Sequence, residues 1–204
     1  MHRPGKIVCV GRNYREHAKE MGNEVPKEPL LFLKPPSSVI ATGSAIELPA
    51  AAGRVDFEGE LGVVIGSRLR GASPAACAAA VRGVVAANDV SAREWQKNDG
   101  QWARAKGSDT FLPLGDESPA PRDFASLTLV SRLNGEERQR ASTSEMVFSV
   151  PVLLAYISDY ITLEPGDVVL TGTPSGVGPL SAGDEVEVEI VGHSIVRNPV
   201  TARA

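Results

Sequence analysis

With 204 residues, 42% hydrophobic and 23% charged, the chain has the length and balance of one globular domain with a sizeable core. A formal net charge of -4 offers no basic surface for nucleic acid or an anionic membrane. The longest apolar run, residues 150–156, is far short of a bilayer span, and the opening residues 1–6 lack the apolar core of a signal peptide, so a cytoplasmic protein is expected. Cys9 and Cys77 both sit among apolar residues and read as reduced core side chains. With 20 glycines and 15 prolines, turns and short strands are favoured over a helical bundle.

In chain order, residues 6–10 (Lys-Ile-Val-Cys-Val) form a short apolar strand stopped at Gly11. Residues 12–22 read as a helix: Asn13 can serve as N-cap, Glu16 completes a capping box, and Gly22 supplies the stop. On that helix His17 and Glu20, at i and i+3, share a face, whereas Arg15 and Lys19 read as solvated. Residues 30–34 (Leu-Leu-Phe-Leu-Lys) look like a buried strand ending before Pro35-Pro36, and a lysine in that place reads as snorkelling to solvent. Residues 45–49 form a further short strand.

Residues 55–65 (Val-Asp-Phe-Glu-Gly-Glu-Leu-Gly-Val-Val-Ile) carry the strongest signal. At a period of two, Val55, Phe57, Leu61, Val63 and Ile65 fall on one side, and Asp56, Glu58 and Glu60 on the other. Neighbouring carboxylates on one strand face repel unless they are solvated or share a cation. Taken alone, the stretch suits a half-exposed strand with an acidic outer face. The competing reading makes Glu58 and Glu60 two ligands of a hard divalent metal.

Beyond it, residues 74–81 read as a small alanine-rich helix capped by Ser73, and residues 84–90 as an apolar strand ending in the polar pair Asn88-Asp89. Asn98-Asp99-Gly100 is a loop signal. Residues 102–111 set two cations, Arg104 and Lys106, among small and aromatic side chains. Asn134-Gly135 between two strand-like runs predicts a hairpin with a type I′ turn. Ser149 and Pro151 open a helix that presents Leu153, Leu154 and Ile157 on one face. Near the C-terminus, Leu-Glu-Pro-Gly-Asp-Val at 163–168 is echoed by Leu-Ser-Ala-Gly-Asp-Glu-Val at 180–186, each a turn feeding a strand. Between them, the Gly- and Pro-rich loop 171–179 lacks the ending of a phosphate loop, but its amides could approach an anionic ligand closely. One domain of α+β class with a largely β core is expected.

As an ordered set, these segments resemble the fumarylacetoacetate hydrolase family, over residues 10–192. The resemblance is carried by Gly-Arg-Asn-Tyr at 11–14 with His17, Leu-Phe-Leu-Lys-Pro at 31–35, and Phe-Glu-Gly-Glu-Leu-Gly-Val-Val at 57–64. It continues with Asn-Asp-Val-Ser-Ala-Arg at 88–93, Ala-Lys at 105–106, Asp-Thr-Phe at 109–111 and Leu-Thr-Gly-Thr-Pro at 170–174. It implies a mixed β-sandwich roll, a homodimer, and a first helix that acts as a lid over residues 12–28. It also implies Glu58, Glu60 and Asp89 as ligands of Mg²⁺ or Mn²⁺, a place that Ca²⁺ could take in a crystal. His17 with Glu20 matches a water-activating pair, Lys106 and Arg12 match cations that hold an anionic 2-oxo acid, and Gln96 and Thr173 match residues that hold substrate oxygens. Asp56 matches no ligand and reads as a solvated or outer-sphere acid. Where the family reads Lys-Ser-Phe-Asp, this chain has Lys106-Gly107-Ser108-Asp109, which is expected to widen the wall beside the lysine.

The resemblance is nearest to the acylpyruvase branch. It implies cleavage of the C–C bond of acylpyruvates (fumarylpyruvate or acetylpyruvate type) to pyruvate and a carboxylic acid, and decarboxylation of oxaloacetate through the same enolate. An isomerase or decarboxylase of the 2-hydroxyhepta-2,4-diene-1,7-dioate type is the alternative enzyme, and a non-catalytic metal-binding homodimer the alternative without chemistry. His17, Glu20, Lys106 and three carboxylates together favour catalysis.

Overall fold

The computed structural model describes residues 4–20, 22 and 24–203. The chain opens with β1 (Ile7–Gly11), α1 (Arg15–Glu20), β2 (Leu30–Lys34), β3 (Val39–Ala41), β4 (Ile46–Leu48), β5 (Val55–Phe57) and β6 (Gly59–Ile65). There follow α2 (Pro74–Ala79), β7 (Val81–Asn88), β8 (Ser91–Ala92), α3 (Arg93–Asn98), α4 (Ala103–Gly107), β9 (Leu112–Leu114) and β10 (Ser118–Pro119). The last part comprises β11 (Thr128–Leu133), β12 (Glu136–Ser142), α5 (Val150–Tyr160), β13 (Val168–Leu170), β14 (Gly178–Pro179), β15 (Glu185–Ile190) and β16 (Ser194–Ala202).

The strands build an eight-stranded sheet in the order β2-β1-β13-β6-β7-β9-β3, with β10 added on β7. A five-stranded sheet runs β12-β11-β15-β16-β4, and a small third sheet β14-β5-β8. Parallel pairs (β1 with β13, β3 with β9, β16 with β4) occur among antiparallel ones, giving the mixed sheets of the expected α+β roll. The main core lies between the large sheet, the five-stranded sheet and α5. Leu61, Val63 and Ile65 of β6 meet Leu129 of β11, Val188 and Ile190 of β15, and Leu153, Leu154 and Ile157 of α5. Each such aliphatic side chain, fully removed from water, contributes about 1.5–3 kcal/mol before entropy is counted.

The other face of β6 is also covered, since Val64 joins Ile7, Cys9, Val85, Val168 and Leu170 in a second cluster. The stretch 55–65 is therefore buried throughout rather than half-exposed. A period of two distinguishes the two faces of a strand but cannot tell whether another layer covers the second one. Cys9 and Cys77 are buried free thiols, as expected. No helix among the described residues is long and apolar enough to cross a membrane.

Local expectations are mostly met. Asn134 (φ 55) and Gly135 (φ 81) take the left-handed backbone of a type I′ turn between β11 and β12. In the two echoed turns Gly166 and Gly183 take positive φ, and the next aspartate accepts from the amide three residues back, Glu164 N to Asp167 Oδ2 and Ser181 N to Asp184 Oδ2, both at 2.7 Å. Ser73 caps α2, which ends at Ala79 because Val81 already belongs to β7. Strand β2 is half-buried at the edge of the large sheet, with Leu33 exposed and Lys34 its one buried residue.

Asn13 is not a helix cap. Its side chain donates to Phe148 O (3.0 Å) and Thr171 O (2.8 Å) and accepts from Phe148 N (2.8 Å), so the helix starts later, at Arg15, and no capping box with Glu16 forms. A short polar side chain favours a cap only when no better-aligned partners lie nearby. Here the turn after β1, with Arg12 at φ 59, delivers it to the entry of α5 and the loop after β13. Asn13→Ala is expected to lower stability by about 2–4 kcal/mol in urea unfolding, because one buried and two part-buried backbone groups lose their partner.

Candidate active site

At Glu58 the chain leaves the small sheet and enters the large one. Strand β5 pairs with β8 and β14, whereas β6 pairs with β7 and β13. Gly59 makes the crossing possible, since a Cβ there would meet Ser131 Oγ at 2.0 Å. The end of β7 is tied to the same point: Glu58 N donates to Asn88 Oδ1 (3.0 Å) and Asp89 N to Glu58 O (2.8 Å). Glu58, Glu60 and Asp89 are thereby brought together, with one oxygen of each within 4.8 Å of the others, and all three are buried.

Three cations answer this charge. Lys106 Nζ on α4 bridges Glu58 Oε2 and Asp89 Oδ2, both at 2.7 Å. Lys34 Nζ reaches Asp89 Oδ1 at 2.5 Å and Val90 O at 3.3 Å. Arg93 Nη1 holds Glu58 Oε1 at 2.6 Å and Gln96 Oε1 at 2.9 Å. Lys34 does not snorkel: it is 2% exposed, because Asp89 and the Val90 carbonyl hold its ammonium inside. Asp56 is likewise buried rather than solvated, held between Arg54 and Arg93.

These contacts set the carboxyls apart. Burial would raise the Glu58 carboxyl, but Lys106 and Arg93 together hold it well below the usual carboxylate range. Glu60 forms no ion pair among the described residues and accepts one amide bond, from Gly172 N at 2.7 Å. Burial first, then the adjacent Asp89 and Glu58, push its carboxyl well above the ordinary value. Burial opposes the charge of Lys106 too, yet Asp89 and Glu58 keep the ammonium favoured.

All nine residues singled out from the sequence line one cavity of about 680 Å³: Arg12, His17, Glu20, Glu58, Glu60, Asp89, Gln96, Lys106 and Thr173. His17, buried on α1, meets Glu20 Oε2 through Nδ1 at 3.3 Å. Glu20 in turn accepts from Gly176 N at 3.1 and 3.3 Å. Two amides of the glycine-rich loop are thus directed at Glu60 and Glu20, carboxylates of the chain itself. Arg12 contacts none of the acids and has no polar partner among the described residues, leaving its guanidinium free at the cavity wall. Thr173 Oγ1 donates to Gly59 O (2.8 Å) and accepts from Gln139 Nε2 (2.8 Å), so its hydroxyl proton is already committed.

Gly107 and Ser108 do not themselves line the cavity. The aromatic wall beside the lysine comes from β2 instead, with the Phe32 ring centroid 5.1 Å from Lys106 Nζ and Trp102 edge-on to Phe32 at 5.4 Å. A Cβ at Gly107 would meet Pro35 Cδ at 2.7 Å, so close packing against the proline pair accounts for this glycine. Sequence reasoning missed Lys34, Arg93 and Phe32. Each lay inside a recognised motif, but no local pattern showed where its side chain would point.

A mixed-sheet roll whose buried carboxylates converge where two sheets meet defines a recognisable class of enzyme. The chain belongs to the family described as fumarylacetoacetate (FAA) hydrolase C-terminal, which it matches over residues 6–201. It is 46% identical over 204 residues to the mitochondrial oxaloacetate tautomerase FAHD1 of Arabidopsis thaliana, covering 97% of this chain and 92% of that protein. It is 44% identical over 197 residues to the oxaloacetate tautomerase YcgM of Escherichia coli, covering 93% and 90%. The crystal structure of 2-hydroxyhepta-2,4-diene-1,7-dioate isomerase from Mycobacterium marinum superposes with a TM-score of 0.91 at 43% identity, over 100% of this chain and 77% of that one. These relatives are named as two tautomerases and an isomerase.

Three converging carboxylate oxygens form a donor set suited to a hard divalent cation, and too anionic to lie together without a positive partner. A bound cation needs Glu60 ionised, whereas burial and the adjacent Asp89 and Glu58 raise its carboxyl in the metal-free site. Divalent-ion affinity is therefore expected to be full above the raised Glu60 value and to weaken as pH falls through it, with a proton released on binding. Calorimetric titration across roughly pH 5 to 8 in buffers of different ionisation enthalpy measures both effects.

Proposed function

We propose that the protein moves a proton at the carbon beside the oxo group of a small 2-oxo dicarboxylate, interconverting keto and enol forms, with oxaloacetate the leading substrate. The observation that carries this reading is the single cavity that joins three carboxylates and Lys106 to the His17–Glu20 pair. The names of the tautomerase and isomerase relatives support it.

Glu58, Glu60 and Asp89 would hold Mg²⁺ or Mn²⁺, whose Lewis acidity at the substrate's carboxylate and oxo oxygens would acidify the neighbouring C–H. With the Nδ1 hydrogen directed to Glu20, His17 Nε2 is the free base that takes this proton and returns it. Glu20, fixed by Gly176, orients the imidazole. Lys106 donates to the oxygen on which enolate charge develops. Arg12, a cation of the wall with no polar partner among the described residues, receives the far carboxylate, and Phe32 and Trp102 shield the lysine end from water.

A second reading, hydrolysis of acylpyruvates, is favoured by the same His17–Glu20 pair, which could equally activate water against a distal carbonyl. In that case the enolate would leave as pyruvate. Dioate isomerisation uses the proton transfer alone. The readings separate on a panel of oxaloacetate, acetylpyruvate, fumarylpyruvate and a hydroxyheptadienedioate with Mg²⁺. Loss of enol absorbance and deuterium entry at the carbon next to the oxo group report tautomerisation, and pyruvate release reports cleavage. Accelerated tautomerisation is expected, and pyruvate release from acylpyruvates without it would replace this reading by the second. Removing the metal with a chelator is expected to abolish turnover until Mg²⁺ or Mn²⁺ is restored.

His17→Ala is expected to lower kcat by about 10²- to 10⁴-fold while divalent-ion binding survives. Arg12→Met should instead raise KM for dicarboxylates by about tenfold or more, the loss of one charge-assisted hydrogen bond, with a smaller effect on monocarboxylic substrates. Steady-state kinetics on both substrate types decides this.

A further inference from the structure

Asp56 shares its strand face with Glu58 and Glu60 yet belongs neither to the carboxylate triad nor to the His17–Glu20 pair. It is 1% exposed, and both its oxygens are engaged by arginines from opposite sides. Arg54 Nε and Nη2 meet Oδ1 and Oδ2 at 2.7 and 3.0 Å from the solvent side, and Arg93 Nε meets Oδ2 at 2.8 Å from within. Arg93 is itself committed forward, its Nη1 lying between Glu58 Oε1 and Gln96 Oε1. Arg93 Nη2 is buried without a partner, so among the described residues only the bond to Asp56 holds the rear of the guanidinium. Packing alone does not require an acid here, because a carboxylate costs several kcal/mol to bury and an aliphatic side chain would fill the space at less cost.

We propose that Asp56 is a positioning residue that aligns the Arg93 guanidinium, and through it sets both the orientation of Glu58 toward a divalent cation and the direction in which Gln96 faces the substrate. Arg93 holds Oε1 of Glu58 back, which leaves Oε2 facing Lys106 and Asp89. A planar guanidinium pinned at Nε can rotate little, whereas one released at Nε pivots about its Nη1 contact and carries Glu58 with it. Arg54 Nη2 and Arg93 Nε share Oδ2, so an amide oxygen in that place would still serve both, whereas in Asp56→Leu neither arginine finds an acceptor. The alignment is lost with a side chain of similar branched shape.

The inference rests on reading Glu58, Glu60 and Asp89 as a divalent-cation site, so wild-type protein is titrated first with Mn²⁺ alone, free ion being followed by electron paramagnetic resonance. A wild-type titration without binding overturns both readings. With binding established, Asp56→Leu is expected to raise the Mn²⁺ dissociation constant about tenfold, the usual scale for a residue behind a ligand. In an Arg93→Gln background, the same substitution is expected to add less than about twofold, because the two residues act in series. KM for oxaloacetate is expected to rise in Asp56→Leu at saturating Mn²⁺, through Gln96. Wild-type Mn²⁺ affinity in Asp56→Leu, or a full tenfold loss in both backgrounds, overturns the proposal. Where Asp56→Leu does not fold, Arg93→Lys decides: its single ammonium cannot span Asp56 and Glu58, and wild-type affinity there overturns the proposal as well.

Discussion

Four carboxylates, Asp56, Glu58, Glu60 and Asp89, lie below the surface along one cavity, and much of the surrounding architecture answers their charge. Removing such a group from water costs several kcal/mol unless partners replace the lost hydration. Arg54, Arg93, Lys106 and Lys34 supply that replacement from three directions, which fixes α3, α4 and the end of β2 against β5, β6 and β7. Glu60 is the exception, with an amide instead of a cation. The site is therefore balanced except at one carboxyl, whose ionisation is coupled to whatever positive charge enters.

Position follows from the same point. Because the chain changes sheets at Glu58, the two glutamates stand at a seam rather than on a continuous surface, and Asp89 reaches the seam from the strand paired there. The loop after β13 closes it, giving the amide of Gly172 to Glu60 and that of Gly176 to Glu20. One loop thus supports both the carboxylate cluster and the histidine pair, and so fixes the spacing between the proposed cation and the proposed base. Helix α1, which carries His17 and Glu20, is joined to the body through Asn13 just before it, through Gly176, and through the buried Tyr14 and Ala18.

Much of the site was legible in the sequence. The i, i+3 spacing of His17 and Glu20, the alternation through Glu58 and Glu60, and an acid ending an apolar strand at Asp89 are local patterns, and resemblance joined them into one cavity. Where the local reading failed, it failed in one direction. Lys34 was expected at the surface, Asp56 in solvent and Asn13 on a helix cap, and all three are buried in polar contacts. Preferences for caps, snorkelling and solvation describe a side chain with water for company, and here the tertiary fold supplies partners better aligned than water.

The sequence by itself determined the strands through their period of two, the hairpin at Asn134-Gly135, the two echoed aspartate turns and the types of donor available for chemistry, because each rests on residues a few positions apart. Only the tertiary structure decided which cation neutralises which acid. The bonds of Lys34 and Lys106 to Asp89 span 55 and 17 residues, and that of Lys106 to Glu58 spans 48. Pairings across such distances depend on which strand lies beside which, and strand order is set by the burial of whole sheet faces rather than by any pattern within one segment.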